Sequence, residues 1–191
     1  QDNVNHLWDA ARYGLKFDNV RGISFQPMFF SGRMPNDPVA LQQLQDSRLN
    51  TADIIIGLVE QSKGKLKYAD FTPLPCGDPN CATIGYLLKF GGAIRSVSDF
   101  VDFREIQGFL KDRVRYRPED LEQCGCESEP LGDLLHKFEI NEKHTFRIFI
   151  KPFMDALNWD EDRIDRCCTH VIRPDGKLDS FCRYYSNAAA S

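Results

Sequence analysis

Between residues 3 and 16, Val4, Leu7, Trp8, Ala11 and Leu15 recur at steps of three and four, the spacing of an amphipathic helix. The pattern then changes to a short, largely apolar run in RGISFQPMFF, where Ile23 and Phe25 mark a buried strand that Pro27 stops. A helix followed by such a strand is how one unit of an α/β barrel or parallel sheet reads. Residues 31 to 38 (SGRMPNDP) are loop. Thr51 caps a helix with Ile54, Ile55, Leu58 and Val59 inward, closed by KGK with Gly64 past its end. FTPLPCGDPNC is a Pro-rich, cysteine-bearing loop before a strand around residues 83 to 90. Phe100, Phe103, Ile106, Phe109 and Leu110 repeat with helical spacing, and LGDLLHKFEI is another short helix. Phe146, Ile148 and Ile150 alternate as a strand until Pro152, and a hairpin turning at Asp175-Gly176 closes the chain.

The chain has 191 residues, room for one sizeable core or two small ones, and its 42% hydrophobic and 27% charged residues are ordinary for a globular protein. A net charge of −4 opposes general nucleic-acid binding, which calls for a basic face. No apolar run is long enough for a transmembrane segment. The first residues, QDNVNHLWDAARYG, carry no signal-peptide pattern and no initiating Met, so the expectation is a fragment or processed product. Phe90-Gly91-Gly92 is a bend rather than a phosphate cradle, and no nucleotide-binding, hydrolase or zinc-protease motif occurs.

The cysteines change the picture most. There are seven, an odd number that cannot pair completely, and in a chain without an export signal clustered cysteines point to metal before disulfides. Cys76 and Cys81 flank a Gly-Asp-Pro-Asn turn, and the closing hairpin adds Cys167 or Cys168 and Cys182. Alternate strand residues face opposite sides, so Cys167 and Cys168 cannot both face one ion there, and Cys168, on the face of His170, is preferred. Four thiolates from two such pairs suit tetrahedral zinc or a [4Fe–4S] cluster equally, with buried unbonded thiols as the bland alternative. Cys124 and Cys126, two residues apart in an acidic stretch, are a second and weaker candidate for a shared ligand sphere, with free thiols or a disulfide as the bland alternative. His6 and His144 have no partner pattern, His136 is solvated, and His170 either orients a ligand or is a satisfied hairpin histidine.

Three stretches together carry a resemblance: VRGISFQPMFFSGR, FTPLPCGDPNC and CCTHVIRPDGKLDSFC, in that order. They resemble the C-terminal part of radical S-adenosylmethionine proteins of the tetraether-lipid-synthase type, and TADIIIGLVEQSKGKLKYADF and FRIFIKPFMDALNWDEDRIDRCC fit the same pattern. The resemblance implies an α/β to α+β fold: the last unit of a partial (β/α) barrel over residues 1–48, an auxiliary iron–sulfur cluster domain over 49–185 and a disordered tail over 186–191. It implies Cys76, Cys81, Cys168 (with Cys167 as alternative) and Cys182 as cluster ligands, and Gln26 and Arg33 facing cofactor or substrate, where barrel active sites gather. It further implies S-adenosylmethionine as a cofactor of the full-length enzyme, radical chemistry on a lipid or other hydrophobic substrate, and a cytoplasmic or membrane-surface location. The Cys-x-x-x-Cys-x-x-Cys motif of the radical cluster is absent from these residues, so the expectation is a C-terminal segment whose partner is the remaining N-terminal part of the enzyme. The competing expectation is a binding module in which the same cysteines close a structural zinc site.

Overall fold

The structure is a computed structural model that describes residues 3–30, 35–74, 77–90, 92–102 and 142–187. A 3-10 turn over Val4–His6 leads into α1 (Leu7–Leu15), which buries Leu7, Trp8 and Ala11, as the apolar spacing predicts. The strand β1 (Gly22–Phe25) follows. Next comes α2 (Pro38–Asp46), an element that hydrophobic periodicity misses because none of its residues is buried. Its signal is local chemistry: the Asp37 carboxylate accepts from the N–H groups of Val39 and Ala40, and Pro38 occupies the first turn. Helix α3 (Thr51–Gln61) buries Ile54 and Leu58. Its cap is Asn50 rather than the expected Thr51: the Asn50 side chain accepts from the N–H groups of Ala52 (2.7 Å) and Asp53 (3.2 Å), and Asp53 accepts from the Asn50 N–H (2.8 Å).

The sheet contains β2 (Phe71–Pro73), β3 (Thr83–Phe90), β4 (Ala93–Ser96) and β5 (Thr145–Ile150). Its order is β1-β5-β3-β2, with β4 also pairing β3. β1 runs parallel to β5, with Ile23 opposite Ile148, whereas β3 is antiparallel to β5, β2 and β4. The described sheet is therefore mixed. Alternation in β5 puts Phe146, Ile148 and Ile150, each at most 1% exposed, into one core with Trp8, Ala11, Ile54, Leu58 and Leu87. Gly22 permits the β1–β5 approach: a Cβ there would lie 2.5 Å from the carbonyl oxygen of Arg147. Because β1 pairs β5 and α1 packs on α3, this core runs continuously across position 48.

After β5 come α4 (Glu161–Asp165), β6 (His170–Ile172), β7 (Leu178–Ser180) and α5 (Phe181–Asn187). Here Met154, Ile164 and Cys182 form a second core with Phe153 and Phe181 against it. The expected hairpin is present, with His170 opposite Ser180 and Ile172 opposite Leu178. Its cysteines differ from expectation: Cys167 and Cys168 precede β6, and Cys182 lies in α5. Strand alternation therefore does not decide between Cys167 and Cys168. Of the helix expected over residues 97–113, the described beginning is a 3-10 turn over Val97–Asp99 with residues 100–102 outside any helix, and the rest lies outside the described residues, as do the helix expected over 131–140 and Cys124, Cys126 and His136. Among the described residues no helix is long and apolar enough to cross a membrane.

Candidate metal centre and the adjoining cavity

The loop joining β2 to β3 carries Cys81 near its end, and the Leu74 N–H, donating to the Ala82 carbonyl at 2.9 Å, closes its base. Inside it Asp78 is 2% exposed. Its carbonyl accepts from the Cys81 N–H (2.9 Å) and its carboxylate from the Asn80 N–H (2.8 Å). The Arg166 guanidinium then donates twice to the same carboxylate, at 2.6 Å from Nη2 and 3.1 Å from Nε. Burial pushes the Asp78 carboxyl up, but the Asn80 N–H, the Arg166 hydrogen bonds and the Arg166 and Arg163 charges outweigh it and hold it below the usual range.

That pair ties the first cysteine-bearing stretch to the second, since Arg166 directly precedes Cys167 and Cys168. Gly77 shows how closely they meet. It has φ +75°, and a Cβ on it would lie 2.7 Å from the Arg166 carbonyl oxygen and 3.4 Å from Cys168 Sγ. Cys76 and Arg33 lie outside the described residues.

The adjacent cysteines serve different neighbours. Cys168 is the exposed one and adjoins Gly77. The half-buried Cys167 donates its thiol to the Thr169 carbonyl (3.1 Å) and accepts from the Thr169 N–H (3.4 Å). Cys182, 8% exposed, accepts from the Met154 N–H at 3.4 Å. Burial pushes the Cys182 thiol up and Cys167 adds to the rise, against the Met154 N–H and the charges of Lys151 and Arg163. Cys81 is buried. Among the described residues no group of three or more His, Cys, Asp or Glu side chains is placed to hold a metal ion. His170 is an exposed strand residue, and His6 makes a surface contact to Asp9 at 3.4 Å.

One turn before Cys167 in sequence, α4 carries a buried cation: Arg163 is 9% exposed, and its Nη2 donates to the Pro152 carbonyl at 3.2 Å. Among the described residues its Nε has no hydrogen-bond partner.

A cavity of about 610 Å³ opens where β1 ends, lined by Ser24, Gln26, Phe30, Arg48 and Ile54 among others. This is the carboxyl end of the parallel pair, where the Lys151 N–H donates to the Phe25 carbonyl at 3.0 Å. Gln26 is exposed and lies on the wall. The sequence did not single out Arg48 or Asp155. The fully buried Asp155 carboxylate accepts from Arg48 Nη1 (2.9 Å to each oxygen) and from the N–H groups of Phe30 (2.7 Å) and Leu157 (3.0 Å). Met154 thus contacts Cys182 while its neighbour Asp155 pins the cavity wall.

No protein-family model matches the chain. Among curated proteins it is similar to 7,8-dihydro-6-hydroxymethylpterin dimethyltransferase of Methanocaldococcus jannaschii, 26% identical over 238 aligned positions. The alignment covers 95% of this chain and 45% of the relative, so the chain spans less than half of that protein's length. The likeness supports a relationship to the radical S-adenosylmethionine enzymes at the coarse level and carries nothing toward the tetraether-lipid-synthase type.

Proposed function

We propose that this chain is the part of a radical S-adenosylmethionine enzyme, of the methyl- or alkyl-transferring kind, that carries an auxiliary [4Fe–4S] cluster and one wall of the substrate cavity. The observation that supports it most is the approach of Gly77 to the Arg166–Cys168 stretch, which brings the neighbourhood of Cys76 to that of the later cysteines. The ligands on this reading are Cys76, Cys81, Cys182 and one of Cys167 and Cys168. When bound, the cluster supplies one-electron chemistry or a site that holds substrate.

The chain's own residues have separate duties. The Asp78–Arg166 pair holds the two cysteine-bearing stretches together, and the Met154 N–H donates to the Cys182 sulfur. Gln26 and Arg48, with Arg33 in the loop beyond, orient substrate or S-adenosylmethionine, and β1 with β5 forms the end of the partial barrel. The radical-generating cluster belongs to residues outside these 191. The cavity sets Ser24, Gln26 and Arg48 beside Leu7, Phe25, Phe30 and Ile54, a mixed lining that fits a planar polar ring, where the family resemblance implied a hydrophobic or lipid substrate. The dihydropterin in the relative's name favours the same class.

The test is anaerobic purification and reconstitution, with iron, acid-labile sulfide and zinc counted per chain. The expected result is about four iron and four sulfide, the content of one [4Fe–4S] cluster, lost in Cys76→Ala, Cys81→Ala and Cys182→Ala. One zinc without sulfide would replace the reading with a structural zinc site. Absence of both metals would overturn it.

A further inference from the structure

We propose that Arg48 reads the substrate ring and selects its oxidation state: its Nε–H and Nη2–H form a fixed fork for a ring carbonyl oxygen and the neighbouring imine nitrogen of a fused heterocycle. The proposal rests on the planar-ring reading of the cavity above. Arg48 is a cavity residue whose side chain is 18% exposed. Nη1 alone makes its bonds to Asp155, at 2.9 Å to each carboxylate oxygen. Among the described residues Nε and Nη2 have no hydrogen-bond partner. These two donors share one edge of the guanidinium, in the geometry that grips two acceptors at once. The fork is also held still. Asp155 is fully buried and accepts from the Phe30 N–H at 2.7 Å as well, while the Phe30 ring centroid lies 5.8 Å from Arg48 Cζ. Donors fixed before binding lose little freedom on binding.

Charge and hydrogen-bond pattern decide what fits the fork. Arg48 is the one charged residue of the described lining, and the Asp155 carboxylate behind it cancels its charge. A carboxylate or phosphate therefore meets no net positive charge there, whereas an uncharged ring needs none to use the two N–H groups. Adenine is mismatched, because its edge sets an amino donor beside the ring nitrogen. A dihydropterin matches: its ring carbonyl oxygen and imine nitrogen both accept side by side, as the corresponding pair on guanine does toward arginine. In a tetrahydropterin that nitrogen carries hydrogen, so one arm of the fork meets a donor. The two N–H groups of Arg48 thus accept the dihydro form and reject the tetrahydro form.

The experiment is anoxic calorimetric titration of the whole protein, wild type and Arg48→Lys, with 6-hydroxymethyl-7,8-dihydropterin and its tetrahydro form, without reductant so that nothing turns over. Wild type should bind the dihydro form about tenfold or more tightly than the tetrahydro form, the discrimination a good bidentate pair gives. Arg48→Lys keeps the charge and loses the fork, so its preference should shrink to about threefold or less. Equal affinities in wild type overturn the proposal and leave the planar-ring and cluster readings intact. An unchanged preference in Arg48→Lys overturns it too, as does a loss of S-adenosylmethionine affinity in that variant with pterin affinity kept. Binding of neither pterin overturns both the proposal and the planar-ring reading, while iron and sulfide counts test the cluster separately. Should Arg48→Lys not fold, wild type decides with the analogue that has C–H in place of the imine nitrogen: weaker binding of that analogue supports the fork, and equal binding overturns it.

Discussion

Replacing Asp155 by Ala removes the acceptor for three donors at once. The carboxylate is fully buried and holds Arg48 Nη1 at 2.9 Å, the Phe30 N–H at 2.7 Å and the Leu157 N–H at 3.0 Å. One-sided loss of a buried ion pair costs about 3–5 kcal/mol. The Arg48 side chain is 18% exposed and can recover some water, which argues for the lower end. Each orphaned N–H adds about 1–3 kcal/mol if it stays dry, but these costs overlap with the first. The expected total is about 3–4 kcal/mol for Asp155→Ala, about half that for the shape-conserving Asp155→Asn, and about 2–3 kcal/mol for Arg48→Met. With a urea dependence of about 2 kcal/mol per molar, the Ala variant should unfold at a midpoint about 1.5 M lower. The double variant Arg48→Met/Asp155→Asn should cost less than the sum of its parts by about 1–2 kcal/mol. Strict additivity, or an Ala midpoint within about 0.3 M of wild type, would refute the reasoning that this pair pins the cavity wall.

Gly77→Ala meets the Arg166 carbonyl oxygen at 2.7 Å and must also hold φ near +75°, so it should destabilise the protein by at least about 2 kcal/mol and lower iron loading in reconstitution. Cys167→Ser and Cys168→Ser, measured side by side for iron and sulfide content, should differ, one retaining the cluster and the other losing it; equal loss would mean that both sulfurs are needed. Burial pushes the Asp99 carboxyl up, but hydrogen bonds from Lys67 (2.6 Å) and Arg95 (3.1 Å) with their charges hold it below the ordinary value. Because the folded pKa is the lower one, its stabilisation is present above the unfolded pKa of about 3.9 and is lost as pH falls through the folded value. Asp99→Asn should therefore cost up to about 1 kcal/mol at pH 7, with both cations half-exposed, and the gap to wild type should close in chemical denaturation below about pH 3.

The elements that a buried face organises were legible in the sequence. Trp8 and Ala11 on α1, Ile54 and Leu58 on α3, and Phe146, Ile148 and Ile150 on β5 all carry the period of their element because each contacts one core. Elements without such a face, or too short to repeat it, were missed. Helix α2 buries nothing, β2 and β4 span three and four residues, and α4, which buries Ile164, is a single short turn defined by the Asp160 cap. The same limit acted on the site. Cysteine spacing identified which stretches to bring together, and Asp78 with Arg166 shows them joined. The preference for Cys168 over Cys167 rests on strand alternation, and both residues lie outside the strand. Arg48, Asp155 and Arg163 carry no motif: their roles come from partners 107, 125 or 11 positions away in sequence, which no local pattern records.

The stretch after β5 links the two halves of the candidate site. Pro152, Met154 and Asp155 follow the last core strand within five residues, and each makes a different connection: Pro152 to Arg163, Met154 to Cys182, Asp155 to Arg48 and Phe30. The side chain of Phe153 stacks between Phe29, at 5.5 Å, and Phe181, at 4.4 Å. Whatever orders Cys182 and Arg163 therefore acts on the same short backbone that fixes Phe30 at the cavity wall. A cluster bound by Cys182 would restrain that backbone from one side while the Arg48–Asp155 pair restrains it from the other. The ion pair, desolvated on the Asp155 side, is costly to open, so it keeps the cavity wall in register by holding the intervening residues against slackening.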